Sequence, residues 1–173
     1  MNLAQGNLLA IFHAGLVHRW HRSPFLAHTV DRLDGHQGRV ARIILMLHPS
    51  PSRALIFHAL THDDGESATG DVPSPAKKAN PILRRELEIM EDERRAELWG
   101  ADDPLSQSDQ LWFHFADKLD AFMWAKHHRA PMDGDGWPEA REWLALCAVE
   151  FGREREVLPL LGICSGKPFE VAA

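Results

Sequence analysis

Apolar residues recur along this chain at three- and four-residue spacing, the period of helices with one buried face. Over residues 2–20 the stripe is Leu8, Leu9, Phe12, Leu16 and Trp20, which predicts a first helix. A second, over 36–47, carries Val40, Ile43, Ile44 and Leu47. The two prolines of HPSPSR interrupt the chain after it. Ser52 or a residue near it is placed to cap a third helix containing Leu55, Ile56, Ala59 and Leu60. Gly65, Gly70, Pro73 and Pro75 predict a loop over 65–75. Asn80 followed by Pro81 reads as the cap and first position of a strongly charged helix running to residue 99. Leu111, Phe115, Leu119 and Phe122 mark one face of a long helix over 105–129, and 138–158 reads as the last helix. No segment alternates apolar and polar residues as a half-buried strand does. The expectation is an all-α fold, about six helices in one bundle-like domain over residues 1–173.

Composition narrows function more than fold. A chain of 173 residues suits one domain and can bury a core without staples. Its net charge of −6 argues against a nucleic-acid polymer or an acidic membrane surface as partner. No apolar run approaches the ~20 residues of a membrane span, and the N-terminal segment lacks a basic leader. Cys147 and Cys164 form no CxxC pair and read as free thiols in a reducing compartment, so a cytoplasmic protein is expected. With 11 histidines, a metal site is worth seeking.

The densest polar stretch, HDDGESATGDVPSP over residues 62–75, directly follows the apolar ALIFHAL. His62 and Asp63 end the third helix, and Glu66 lies four residues beyond His62. Adjacent helical side chains point about 100° apart, yet both can reach an ion lying between them. Further ligands must come from elsewhere. His36 begins the second helix, and Asp117 lies among Phe113, Phe115, Ala116 and Leu119, where a carboxylate needs a partner or a metal. Two histidines and two aspartates suit Mn, Fe, Co or Zn with room for water better than a closed structural zinc site. An ion there activates water or polarises a phosphoryl oxygen. A His-Asp dipeptide alone is more often structural, so the joint pattern carries the argument. Asp64 reads as a solvated bystander, and the other histidines as surface or core residues.

The order His36, His62-Asp63, Asp117 resembles the HD-domain metal-dependent phosphohydrolases, an all-α superfamily. With Arg19-Trp20, HDDGE at 62–66 and TGDVPSPAKKAN at 69–80, the chain looks like their bacterial 5'-deoxynucleotidase branch over roughly residues 15–125. That branch combines an Arg-Trp pair, HDxxE and a TGDxPxP-type segment followed by lysine. The resemblance implies that His36, His62, Asp63 and Asp117 hold a divalent metal ion (Co, Mn, Zn or Mg). It implies that Glu66 serves in general acid/base catalysis near the attacking water. Arg19 would contact phosphate, and Trp20 would pack on the sugar and reject a ribose 2'-hydroxyl. Asp71 would help position the sugar or the substrate, with Ser74 and Lys77 near the substrate and Lys77 a candidate phosphate contact.

Two features depart from the branch. Gly35-His36-Gln37 stands where a Glu-His-Ser context is usual, and the segment from Trp20 to His36 is slightly longer. The chain is as compact as phage relatives, some of which are dATP triphosphohydrolases. The activity expected first is therefore conversion of dATP to deoxyadenosine and triphosphate, with Lys77, Lys78 and Lys118 as added cations. A 5'-deoxynucleotidase acting on monophosphates comes second. Either would work as a homo-oligomer in the cytoplasm of a bacterium or a phage-infected host. A non-catalytic nucleotide-binding regulator would not need Glu66 beside a full ligand set. A scaffold assembled through the 80–99 helix competes with the plainer reading of that helix as a solvated face.

Overall fold

The computed structural model describes residues 3–72, 74–100 and 103–163, and the side chains of all of these except 3–6, Ser74, Pro75 and Lys78. The elements are α1 (Leu3–Ala14), α2 (Leu33–Leu47), α3 (Arg53–Thr61), a 3₁₀ turn (Asp64–Ser67), α4 (Ser74–Ala79), α5 (Pro81–Trp99), α6 (Gln107–His127), α7 (Trp137–Glu150) and α8 (Glu154–Val157). Among the described residues the extended backbone pairs only in an isolated bridge, His18 with Arg32. The fold is all-α. The chain divides into two compact units, Met1–Ala116 and Asp117–Ala173, and the division falls inside α6.

In the first unit α2 packs against α3, burying Val40, Ile44, Leu47, Leu55 and Ala59. The predicted caps form as the sequence requires. Ser52 Oγ accepts the Leu55 N–H at 3.0 Å, and Asn80 Oδ1 accepts the Leu83 N–H at 3.1 Å ahead of Pro81. In the second unit the core is built by Leu119 and Phe122 of α6, Leu144 and Ala148 of α7, and Val157 of α8.

Several boundaries differ from the periodicity. α1 stops at Ala14 instead of running to residue 20. The carbonyls of Gly15 and Val17 instead accept the Asp34 and Leu33 N–H groups, donors that the first turn of α2 leaves without a helical partner. The segment 15–32 is thereby folded across the start of α2. The stripe of the first helix is not core: Leu8, Leu9 and Phe12 are 70%, 50% and 62% exposed. α2 begins at Leu33, so His36 lies within the helix rather than at its first position. The loop expected over 65–75 contains most of the 3₁₀ turn and the start of α4. The last predicted helix breaks into α7 and α8 at Gly152, whose φ of +66° no helix accommodates.

The charged helix α5 is more than a solvated face. Arg95 reaches the last turn of α3, donating to the Thr61 carbonyl at 3.0 Å and to Thr61 Oγ1 at 2.8 Å. Arg94 donates to Ser67 Oγ, and Trp99 to Asp64, so α5 braces the turn that follows His62-Asp63.

Candidate metal centre and substrate site

The turn after α3 presents the central pair. His62 Nδ1 lies 3.1 Å from the Ala59 carbonyl. A carbonyl only accepts, so Nδ1 carries the proton and Nε2 offers its lone pair. Asp63, at φ −95° and ψ 1°, sits in the bridge region that active-site residues often occupy. Its Oδ2 is 3.2 Å from His62 Nε2 and 3.5 Å from Nε2 of His36, which α2 buries completely. Asp117 comes from α6. Phe113, one turn earlier on α6, packs its ring 4.8 Å from that of His62 and 4.5 Å from that of His58. The donors therefore stand against an apolar wall.

This arrangement fits a divalent ion. His62 Nε2 is buried and makes no hydrogen bond with the described residues, a state that native proteins leave for a ligand or a water. The donors are the mixed nitrogen and oxygen set that first-row divalent metals accept. Burial pushes the Asp63 carboxyl up, but the His62 and His36 imidazoles and Arg19 outweigh it and hold the group well below the usual carboxylate range. The carboxylate is thus ionised, as a ligand must be.

Beside these donors lies an acidic cluster. Glu66, on the 3₁₀ turn, is pushed up to about 10 by burial first and then by the charges of Asp63 and Asp71, with Lys77 opposing. Its Oε2 is buried and makes no hydrogen bond with the described residues. Lys77 Nζ lies 3.8 Å from Glu66 Oε1 and donates to both oxygens of Glu91, at 3.1 and 3.3 Å. Burial alone would lower the Lys77 ammonium, but Glu91 and Glu66 raise it and keep it charged. Thr69 Oγ1 also donates to Glu91. Glu91 was not among the residues expected from sequence. The available signal was its place on α5, one turn after the buried Leu87 and one turn before Arg95.

The remaining expected residues group on the 15–32 segment. The Trp20 backbone N–H donates to Asp71 Oδ2 at 3.1 Å, joining that segment to the turn after Gly70. Trp20 Nε1 and Arg19 Nη1 both donate to Asp31 Oδ2, at 3.0 and 3.2 Å. The Arg19 guanidinium lies 5.2 Å from the centre of the Trp20 ring. Because Arg19 acts on Asp63 and Asp71 acts on Glu66, this group shares its electrostatics with those two carboxyls.

The family model described as 5'-deoxynucleotidase YfbR-like matches residues 40–128, just over half of the chain. The chain belongs to the YfbR-like 5'-deoxynucleotidase family. It is accordingly a metal-dependent deoxynucleotide phosphohydrolase of the HD type. No curated protein and no solved structure matched it. In this YfbR-like chain the matched span contains His62, Asp63, Glu66, Asp71, Lys77 and Asp117, whereas Arg19, Trp20 and His36 precede it. Among the described residues no helix is long and apolar enough to cross a membrane. The side chains of Ser74 and Lys78 lie outside the described residues, and Lys118 is exposed.

Asp64 corrects the sequence reading. It is not solvated: only 3% exposed, it accepts from Gln37 Nε2 at 2.9 Å and from Trp99 Nε1 at 2.7 Å. Burial raises its carboxyl and those two bonds partly offset the rise. Gln37, one of the departures from the branch, is the α2 end of this brace. The next residue must be glycine, because a Cβ on Gly65 would strike the Glu91 backbone carbonyl. Within HDDGE, then, His62 and Asp63 approach His36, while Asp64 and Gly65 clamp the turn between α2 and α5. Replacing Asp64 with alanine leaves the Gln37 and Trp99 donors buried without an acceptor. A loss of about 2–4 kcal/mol in unfolding free energy is expected, measurable by urea denaturation.

Proposed function

We propose that this chain hydrolyses 2'-deoxynucleoside 5'-monophosphates to the deoxynucleoside and inorganic phosphate. Water attacks phosphorus and the P–O5' bond breaks. The observation that carries this reading is the approach of Asp63 Oδ2 to Nε2 of both His36 and His62, with Glu66 buried beside them on the next turn. His36, His62, Asp63 and Asp117 would hold a divalent ion, which would supply Lewis acidity toward a phosphoryl oxygen and the attacking water.

The chain's own residues do the rest. Glu66 exchanges the proton between the attacking water and the leaving O5', using the oxygen that makes no hydrogen bond with the described residues. Arg19 meets the phosphoryl oxygens, and Lys77, kept charged by Glu91, stands on the Glu66 side of the same group. Trp20 covers the deoxyribose and leaves no room for a 2'-hydroxyl. Asp71 fixes the Trp20 backbone and lines the sugar position, with Ser74 next to it on α4.

A dATP triphosphohydrolase breaks the same P–O5' bond, releasing triphosphate. One observation favours this second reading: Arg39 donates to Asp31 Oδ1 at 2.8 Å, which puts a further guanidinium near Arg19 for a longer phosphate chain. The first reading rests on the family description and on a site whose cations, Arg19 and Lys77, are each already paired with a carboxylate.

Incubation of the protein with dAMP, dATP, AMP and ATP in Co, Mn, Mg or Zn, with chromatography of products, decides between them. Deoxyadenosine and phosphate from dAMP, with AMP at least about tenfold poorer, is the expected result. Deoxyadenosine and triphosphate from dATP would favour the second reading. Metal-loaded protein that turns over no deoxynucleotide would sink both.

A further inference from the structure

Asp31 is 1% exposed and belongs to no motif noted in the sequence. It nevertheless accepts hydrogen bonds from three other side chains: Arg19 and the Trp20 indole on Oδ2, and Arg39 on Oδ1. Its own carbonyl accepts the Arg19 backbone N–H at 3.0 Å. Trp20 is meanwhile held at φ +61°, a left-handed conformation that a bulky residue rarely adopts. Such strain persists only where the surroundings over-determine it. Here the surroundings are Asp71 on the Trp20 amide, the Ser23 amide on its carbonyl and Asp31 on its indole.

We propose that Asp31 is the positioning residue that sets Arg19 and Trp20 for joint recognition of phosphate and deoxyribose. This inference rests on the reading of those two residues given above. A buried carboxylate is stable only when its lone pairs are taken by charged or polar donors, and here two guanidiniums and an indole take them. Arg19 and Trp20 share a single oxygen, so the guanidinium and the indole are fixed relative to each other. Arg39 occupies the second oxygen, so the carboxylate cannot rotate without losing a partner. Gly35 sits close under the pair: a Cβ there would lie 3.4 Å from Arg39 Nη1 and 3.9 Å from Asp31 Oδ1. An asparagine at position 31 would turn an NH₂ group toward donors on one side. Either Arg39 or the Arg19–Trp20 pair would then be released.

The test compares wild type with Asp31→Asn in metal-loaded protein, using dAMP and AMP as substrates. In parallel, the Trp20 indole N–H resonance is followed by ¹⁵N NMR, assigned with Trp20→Phe. The expected result is a displaced indole resonance, a kcat/KM for dAMP lowered about 100-fold, and a dAMP-over-AMP preference that falls by about tenfold. If the variant does not fold, Trp20→Phe removes only the donor end of the same bond, and the same fall in preference is expected of it. An unmoved indole resonance overturns the proposal. So does an equal loss for dAMP and AMP with the preference kept, the pattern of a merely structural residue. Were wild type inactive on both nucleotides, the reading of the reaction would fall and the recognition role with it. The indole resonance would show that case separately, by reporting whether Asp31 holds Trp20 at all.

Discussion

Asp63→Asn is expected to abolish phosphohydrolase activity, lowering kcat by at least about 10³-fold, and to leave the purified protein with little bound metal. Asp63 Oδ2 lies within 3.5 Å of the Nε2 atoms of both His36 and His62. An amide of the same shape keeps the packing but gives up the negative charge that pairs with a divalent ion. Several kcal/mol of transition-state stabilisation pass through a metal of this kind, and each ~1.4 kcal/mol is a factor of ten in rate. Metal content by mass spectrometry, turnover of a deoxynucleotide and far-ultraviolet circular dichroism on the same samples make the check. Helical protein with a full complement of metal and ordinary turnover would show that the ligand set is wrong.

The residues expected to hold the metal stand out in the sequence because chemistry constrains them twice. His62 and Asp63 are adjacent at the end of an apolar helix, and Asp117 is a carboxylate set in apolar sequence, so each stands out locally. The caps at Ser52 and Asn80 were legible for the same reason, since a cap needs only its next few residues. What stayed hidden depends on distant partners. Asp64 is defined by Gln37, 27 residues earlier, and Trp99, 35 residues later. Nothing in DDGES distinguishes a solvated aspartate from one that bridges two helices. Glu91 is one acid among many on a charged helix until Lys77 and Thr69 fold onto it. The end of α1 was misplaced because the apolar period through Leu16 and Trp20 is real, but the donors of α2's first turn bind the backbone of residues 15–17 instead. A period records which side chains are greasy. It does not record which backbone groups another element will need.

Glu66→Gln separates the chemistry from the fold, with opposite signs for the two. Activity is expected to fall by about 10²–10⁴-fold, the usual contribution of a group that transfers a proton in the transition state. Stability of the metal-free protein is expected to rise. In the folded chain the Glu66 carboxyl is shifted from its ordinary 4.5 up to about 10, by burial first and then by Asp63 and Asp71. Between those values the unfolded chain has released the proton and the folded chain has kept it. The native state then binds more protons than the unfolded one, so unfolding becomes easier as pH rises. The stabilising contribution of this group is complete below 4.5 and is lost on the way up to about 10. Glutamine does not titrate and keeps the neutral shape throughout. In a chelating buffer the variant should match wild type near pH 5 and exceed it near pH 8 by on the order of 1–3 kcal/mol, a gain of several degrees in Tm. Thermal unfolding at intervals across that range is the measurement. A difference that stays constant with pH would mean that Glu66 is ionised in the folded, metal-free protein, against the burial and the neighbouring carboxylates that surround it.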